Sequence, residues 1–223
     1  MGVGHIAVAL GASRAAPRVN VGWLVFAAVL SDFLLGIFAW MGLERSIAPQ
    51  DYASRHYLLF TFPYSHGLVP LLLWAALFGL LVAAIYRFDR SRIWLVVAAL
   101  VLSHFVLDGI VHVAGLPLAG ENSPKFGLGL WNYLPLELLL ETLMAIAGIA
   151  IYWRITGAGR SALSRYGMAI FILLVTAMTW TQLLLTVPPP QRQLTASWIV
   201  VPLLFAAIAY ALDRRRVRFA APA

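Results

Sequence analysis

Residues 93–114, IWLVVAALVLSHFVLDGIVHVA, decide how the rest of the chain is read. A helix needs about 20 mostly apolar residues to cross a hydrocarbon core of about 30 Å. This stretch meets that length with Asp108 as its only charge. Five more stretches, 19–43, 65–87, 128–153, 166–187 and 194–212, carry the same signature and end at Gly, Pro or charge, too long for strands. Pro188-Pro189-Pro190 predicts a turn between the last two. Composition agrees. The chain is 62% hydrophobic and 11% charged, against roughly 45–50% and 25% in soluble domains. A soluble domain of this size leaves too much surface in water to hide that excess. The composition also excludes disordered and collagen-like chains, and the absence of cysteine excludes a disulfide scaffold.

The expected fold is therefore all-α: a polytopic membrane protein with six transmembrane helices in a single membrane-embedded domain over 1–223. No soluble domain, low-complexity linker or internal repeat is visible. Residues 1–13 are apolar but too short to span, and they lack the basic n-region of a signal peptide. They predict a re-entrant or interfacial helix. The loop 44–62 is long for a bundle connection and is expected to cap the outer face.

A net charge of +7 suggests nucleic acid until the basic residues are placed. Twelve of them, Arg14, Arg18, Arg87, Arg90, Arg92, Arg154, Arg160, Arg165, Arg214, Arg215, Arg216 and Arg218, fall on one side of the predicted spans, and Arg45, Arg55, Lys125 and Arg192 on the other. That asymmetry follows the positive-inside rule and predicts cytoplasmic termini, with the bilayer rather than nucleic acid as partner.

Ionisable residues inside apolar spans are costly and mark sites. Here they are Asp32 in the first span, His66 at the start of the second, His104, Asp108 and His112 in the third, and Glu137 and Glu141 in the fourth. Residues four apart share a helix face, so His104, Asp108 and His112 form a polar stripe. Imidazole and carboxylate at this spacing can enter one metal coordination sphere, or the carboxylate can orient a ligating histidine. At 1.5 Å per residue, Asp32, His104 and Glu137 can meet near the midplane, with His66 and His112 nearer the outer surface. His112 reads equally well as solvated. His5 joins only if the first segment folds back into the membrane. His56 lies in a polar loop and is expected to have no role.

Gly4-His5, Leu30-Ser31-Asp32, Tyr64-Ser65-His66, Leu102-Ser103-His104 with Asp108, and Gly115-Leu116-Pro117-Leu118 resemble the bacterial inner-membrane metal-dependent hydrolase family, over roughly residues 4–118. Gly127-Leu128-Gly129-Leu130-Trp131-Asn132, with Pro135 and Glu141, resembles a subgroup of uncharacterised six-helix bacterial membrane proteins. The chain departs from the family twice. Ser31-Asp32-Phe33-Leu34 stands where members often have Pro-Asp-x-Asp, and Thr61-Phe62-Pro63 replaces the His-Arg-Gly that precedes their Thr-His. A second acidic ligand and a basic neighbour are thereby absent.

The resemblance implies a bacterial inner-membrane hydrolase with one divalent metal held by His66, His104 and Asp108 or Asp32. His5 and His112 are possible additional members. Zinc suits imidazole and carboxylate, and iron and manganese accept the same ligands. Glu141 or Glu137 is the expected general base, with Glu141 favoured by the resemblance. A substrate reaching the site from the bilayer or periplasm is expected to be lipidic, with an ester, amide or phosphoester bond. By analogy, the logic is that of membrane ceramidase-type hydrolases. Two other classes use the same residues: a proton- or ion-coupled transporter, and a subunit in which they only join helices.

Overall fold

The computed structural model describes residues 2–157, 161–215 and 217–218. Arg160 and Arg216, assigned above to the basic side, lie outside the described residues. The fold is all-α. In chain order the helices are α1 (Gly2–Ala12), α2 (Val21–Ala28), α3 (Leu30–Trp40), α4 (Tyr52–Arg55), α5 (Leu68–Ile85), α6 (Arg90–Val111), α7 (Leu134–Ile155), α8 (Ala162–Trp180) and α9 (Gln191–Asp213). Among the described residues, five helices are long and apolar enough to cross a membrane: α5, α6, α7 with the 3₁₀ turn before it, α8 with the 3₁₀ turn after it, and α9. The pair α2 and α3 makes a sixth if counted as one span.

Three expectations need correcting. Residues 19–43 are not one helix but two, bent by 54° at Val29. The span placed at 128–153 opens with a 3₁₀ turn, Leu130–Tyr133, and turns α-helical only at Leu134, with Pro135 in the first turn, where proline's missing N–H costs nothing. The last two spans begin earlier than 166 and 194, at Ala162 and Gln191.

Helix α1 lies inside the bundle rather than at an interface. Val3, Ile6, Ala9 and Leu10 are wholly buried, as expected of a helix apolar on every side. It runs beside α7 in the same direction. Gly2 sits at Glu141, and a Cβ on Gly148 would meet the Ala7 carbonyl at 2.6 Å, so glycine is what lets the two helices touch there. From Gly2, α1 therefore leads from within the bundle out toward Arg14. Broken α2–α3 runs antiparallel along α9, with Gly22 against Tyr210 and Gly36 against Ile199.

The loop 44–62 is folded. Strands β1 (Arg45–Ile47) and β2 (Leu59–Thr61) pair antiparallel around α4. After α6, β3 (Leu116–Pro117) and β4 (Lys125–Phe126) form a second hairpin. The described arginines of the basic side sit at the opposite end of the bundle. There Asp213 accepts from the Val21 N–H at 3.0 Å and the Tyr152 hydroxyl at 2.8 Å.

Candidate metal centre

The stripe predicted by the spacing runs from His104 and Asp108 on α6 to His112, the cap residue just past the helix, and all three are buried. Asp108 is the hub. Its Oδ2 lies 3.3 Å from His104 Nε2, 3.6 Å from His66 Nε2 and 3.3 Å from His112 Nε2, while its Oδ1 lies 3.1 Å from His5 Nε2. Asp32 Oδ1 is 3.8 Å from both His66 Nε2 and His104 Nε2. Its side chain is 33% exposed, onto a cavity of about 200 Å³. His112, for which solvent and site read equally well, is therefore in the cluster. His5 joins it because α1 does fold back, and its ring stacks on His104 at 3.9 Å.

The hydrogen bonds behind the rings fix their tautomers. His104 Nδ1 lies 2.8 Å from the Ala28 carbonyl, which can only accept. That carbonyl is turned out of the ladder at the α2–α3 break, where a helix end leaves carbonyls without intrahelical partners. Behind His66 stands a relay. Ser65 Oγ donates to Glu44 Oε2 at 2.6 Å, and His66 Nδ1 lies 2.7 Å from Ser65 Oγ. Glu44 also accepts the Tyr64 and Ser65 N–H groups on Oε1, at 2.7 and 2.9 Å. Burial pushes the Glu44 carboxyl above its ordinary range, opposed by these hydrogen bonds. Ionised, it accepts only, so the Ser65 proton points to Glu44 and His66 Nδ1 must donate.

Both imidazoles thus carry their proton on Nδ1, and their bare Nε2 lone pairs face each other at 3.2 Å. Two such lone pairs repel unless a cation or proton sits between them. Bonds of about 2.0–2.2 Å give a tetrahedral site ligand–ligand edges of about 3.3–3.6 Å. The observed separations of 3.2, 3.3 and 3.6 Å among His66, His104 and Asp108 match that edge. The buried group can hold a metal ion. Two overlapping sets have donor atoms close enough to do so, Asp32 with His66 and His104, and His5 with His104 and Asp108.

The relay gives a prediction. In Glu44→Gln the amide oxygen still accepts from the backbone, but the NH2 group donates to Ser65. Ser65 then donates to His66 Nδ1, and the proton moves to Nε2, where it blocks ligation. Metal affinity should fall about 10–100-fold with little change in thermal stability, as read by chelator competition and a melting curve. Unchanged affinity rules the relay out.

The two glutamates of α7 differ. Glu141 is committed to structure: Oε1 accepts from the Gly2 N–H and Oε2 from the Gly4 N–H, both at 3.0 Å. It satisfies the first turn of α1 and faces the positive end of its dipole. Glu137 is buried, its Oε2 has no hydrogen-bond partner among the described residues, and like Glu141 it lines the same cavity as Asp32, His66, Asp108 and His112. Of the two, Glu137 has an oxygen available for proton transfer, although the resemblance favours Glu141.

The cavity wall is aromatic. Phe62 lies 4.5 Å from the His66 ring and Trp131 3.9 Å from the His112 ring, centroid to centroid. Sequence reasoning missed Glu44, whose only signal was an acid at the start of a long loop. His56, expected to be idle, ties the loop 44–62 to the residue after the 3₁₀ turn that follows α8, with Nδ1 2.9 Å from the Leu185 carbonyl. Compared with known proteins, the chain matches no family model, no curated protein and no solved structure.

Proposed function

We propose that the protein is a membrane-embedded metal-dependent hydrolase of the bacterial inner membrane, using zinc on a lipidic or membrane-accessible ester, amide or phosphoester. The observation that carries this reading is the pair of bare Nε2 atoms facing each other beside Asp108 in a buried cavity. His66, His104 and Asp108 hold the metal, Asp32 completes the set from the cavity side, and neutral imidazole with carboxylate is a donor set that suits zinc. Bound there, a divalent cation supplies Lewis acidity toward a scissile carbonyl or phosphoryl oxygen and acidifies water.

The chain's own residues do the rest. Glu137 Oε2 takes a proton from water in the cavity and returns it to the leaving group. His5 donates from Nε2 to Asp108 Oδ1, which aims Oδ2 at the other three imidazoles. His112 lends Asp108 a further contact at the rim. Phe62 and Trp131 restrict bulk water, which strengthens each charge–charge contact in the cavity.

The test is hydrolysis of lipid esters, amides and phosphoesters by the protein in nanodiscs. Activity should vanish with chelator and return with zinc. Glu137→Gln should lower kcat about 10²–10⁴-fold with zinc still bound. A protein that holds zinc but cleaves none of the three classes fails the hydrolase reading. Proton-coupled flux in liposomes, lost in Asp32→Asn, would then make it a carrier.

A further inference from the structure

Beside the polar cavity lies a larger cavity of about 510 Å³, within the range of roughly 300–1,000 Å³ usual for ligand sites. Its lining is largely apolar: Met178 and Leu185 from one wall, and Leu194, Val201 and Phe205 from α9 on the other, with Asp32 at its inner end. Met178 belongs to α8 and the facing wall to α9, both helices that can span a membrane, and Met178 is 50% exposed. The gap between them therefore opens where a bilayer places hydrocarbon. Phe205 packs edge-on against buried Phe171 at 5.7 Å, which ends the groove toward the basic side. At the other end the His56–Leu185 bond ties the outer loop across it. The two cavities adjoin, with Gly2, Asp32, Phe60, Trp131, Gln182 and Trp198 in the walls of both.

We infer that this groove binds one acyl chain of a lipid, entering sideways from the bilayer between α8 and α9, with the polar end of the lipid delivered to Asp32 and the histidine cluster. The occupant follows from the surroundings. A groove with apolar walls, open at the depth of the hydrocarbon, excludes water and admits an aliphatic chain. Its inner end changes within one residue from Trp198 and Phe60 to the carboxylate of Asp32, the polarity step that separates a lipid's tail from its head. That the bound lipid is the substrate rests on the hydrolase reading; that it binds does not.

The probe is a diazirine-bearing palmitic acid in phosphatidylcholine nanodiscs, cross-linked by light and mapped to peptides. In wild-type protein the label should concentrate on Met178, Leu185 and the Leu194–Phe205 face of α9. Val201→Trp fills the groove and should cut that label about tenfold, equivalent to about 1.4 kcal/mol of lost binding. Ser197→Phe is the second blocking variant, should the first fail to fold. Leu203→Trp, on the exposed face of α9, should leave the label unchanged. So should His104→Ala, which removes the metal but not the groove. Equal labelling in both blocking variants, or label spread evenly over exposed helix faces, overturns the proposal. Absence of label in a wild-type protein that runs as a dimer assigns the groove to a second copy and also overturns it. A protein that holds no metal but labels as described defeats the hydrolase reading alone.

Discussion

Purified wild-type protein should carry near-stoichiometric zinc, and His104→Ala and Asp108→Ala should carry none, by elemental mass spectrometry. These two positions have the largest leverage because His104 is common to both donor sets and Asp108 touches the most imidazoles of the cluster. His104 belongs to both overlapping sets of donors, and its Nδ1 is committed to the Ala28 carbonyl, so only Nε2 is available to a metal. Asp108 is the carboxylate that meets four imidazoles, those of His5, His66, His104 and His112. Its loss also leaves buried polar partners without their acceptor, a change that costs about 3–5 kcal/mol when one member of a buried pair is removed. Asp108→Asn keeps the shape and one acceptor oxygen, and separates loss of metal from loss of fold: it should remain folded yet bind zinc far more weakly. If wild type and the alanine variants are equally metal-free while remaining folded, the same residues are proton relay or interhelical contacts, and the hydrolase reading falls.

The second large effect is expected at Glu141. Replacement by alanine strands the buried Gly4 N–H and removes the acceptor of the Gly2 N–H, which faces the cavity. At about 1–3 kcal/mol for an unsatisfied buried group, counted for Gly4 alone, the variant should lose about 1–3 kcal/mol. The loss falls on α1, because those bonds join α1 to α7. Hydrogen exchange across Gly2–Ala12 should rise in Glu141→Ala, and zinc affinity should drop as His5 leaves Asp108. Glu137→Ala makes the contrast: among the described residues its Oε2 has no hydrogen-bond partner, so α1 should stay protected. Matching exchange in the two variants contradicts the assignment of Glu141 to structure and Glu137 to chemistry.

The two predictions draw on different kinds of information. Much of the cluster was legible in the sequence, because Asp32, His66, His104, Asp108, Glu137 and Glu141 are each an ionisable residue in an apolar stretch. That mismatch is visible one residue at a time. The division of labour between the glutamates was not legible. Glu137 and Glu141 sit one turn apart in near-identical surroundings, and only the arrival of α1 at one of them decides which is occupied.

What the sequence determined by itself was local: the apolar lengths that make spans, the side on which arginine collects, and the stripe of His104, Asp108 and His112. These depend on composition and on the 3.6-residue period, which neighbouring residues set. The tertiary structure decided what joins distant segments. The break at Val29 has no proline or glycine to announce it, since the residues around it are Ala27-Ala28-Val29-Leu30. Its outcome is read only in the bond from His104 to Ala28, 76 residues away. The folding back of α1 shows in His5 meeting Asp108, 103 residues on, and in Gly4 meeting Glu141, 137 residues on. A buried polar group must find a partner wherever the packed chain offers one, and no local pattern records where that is.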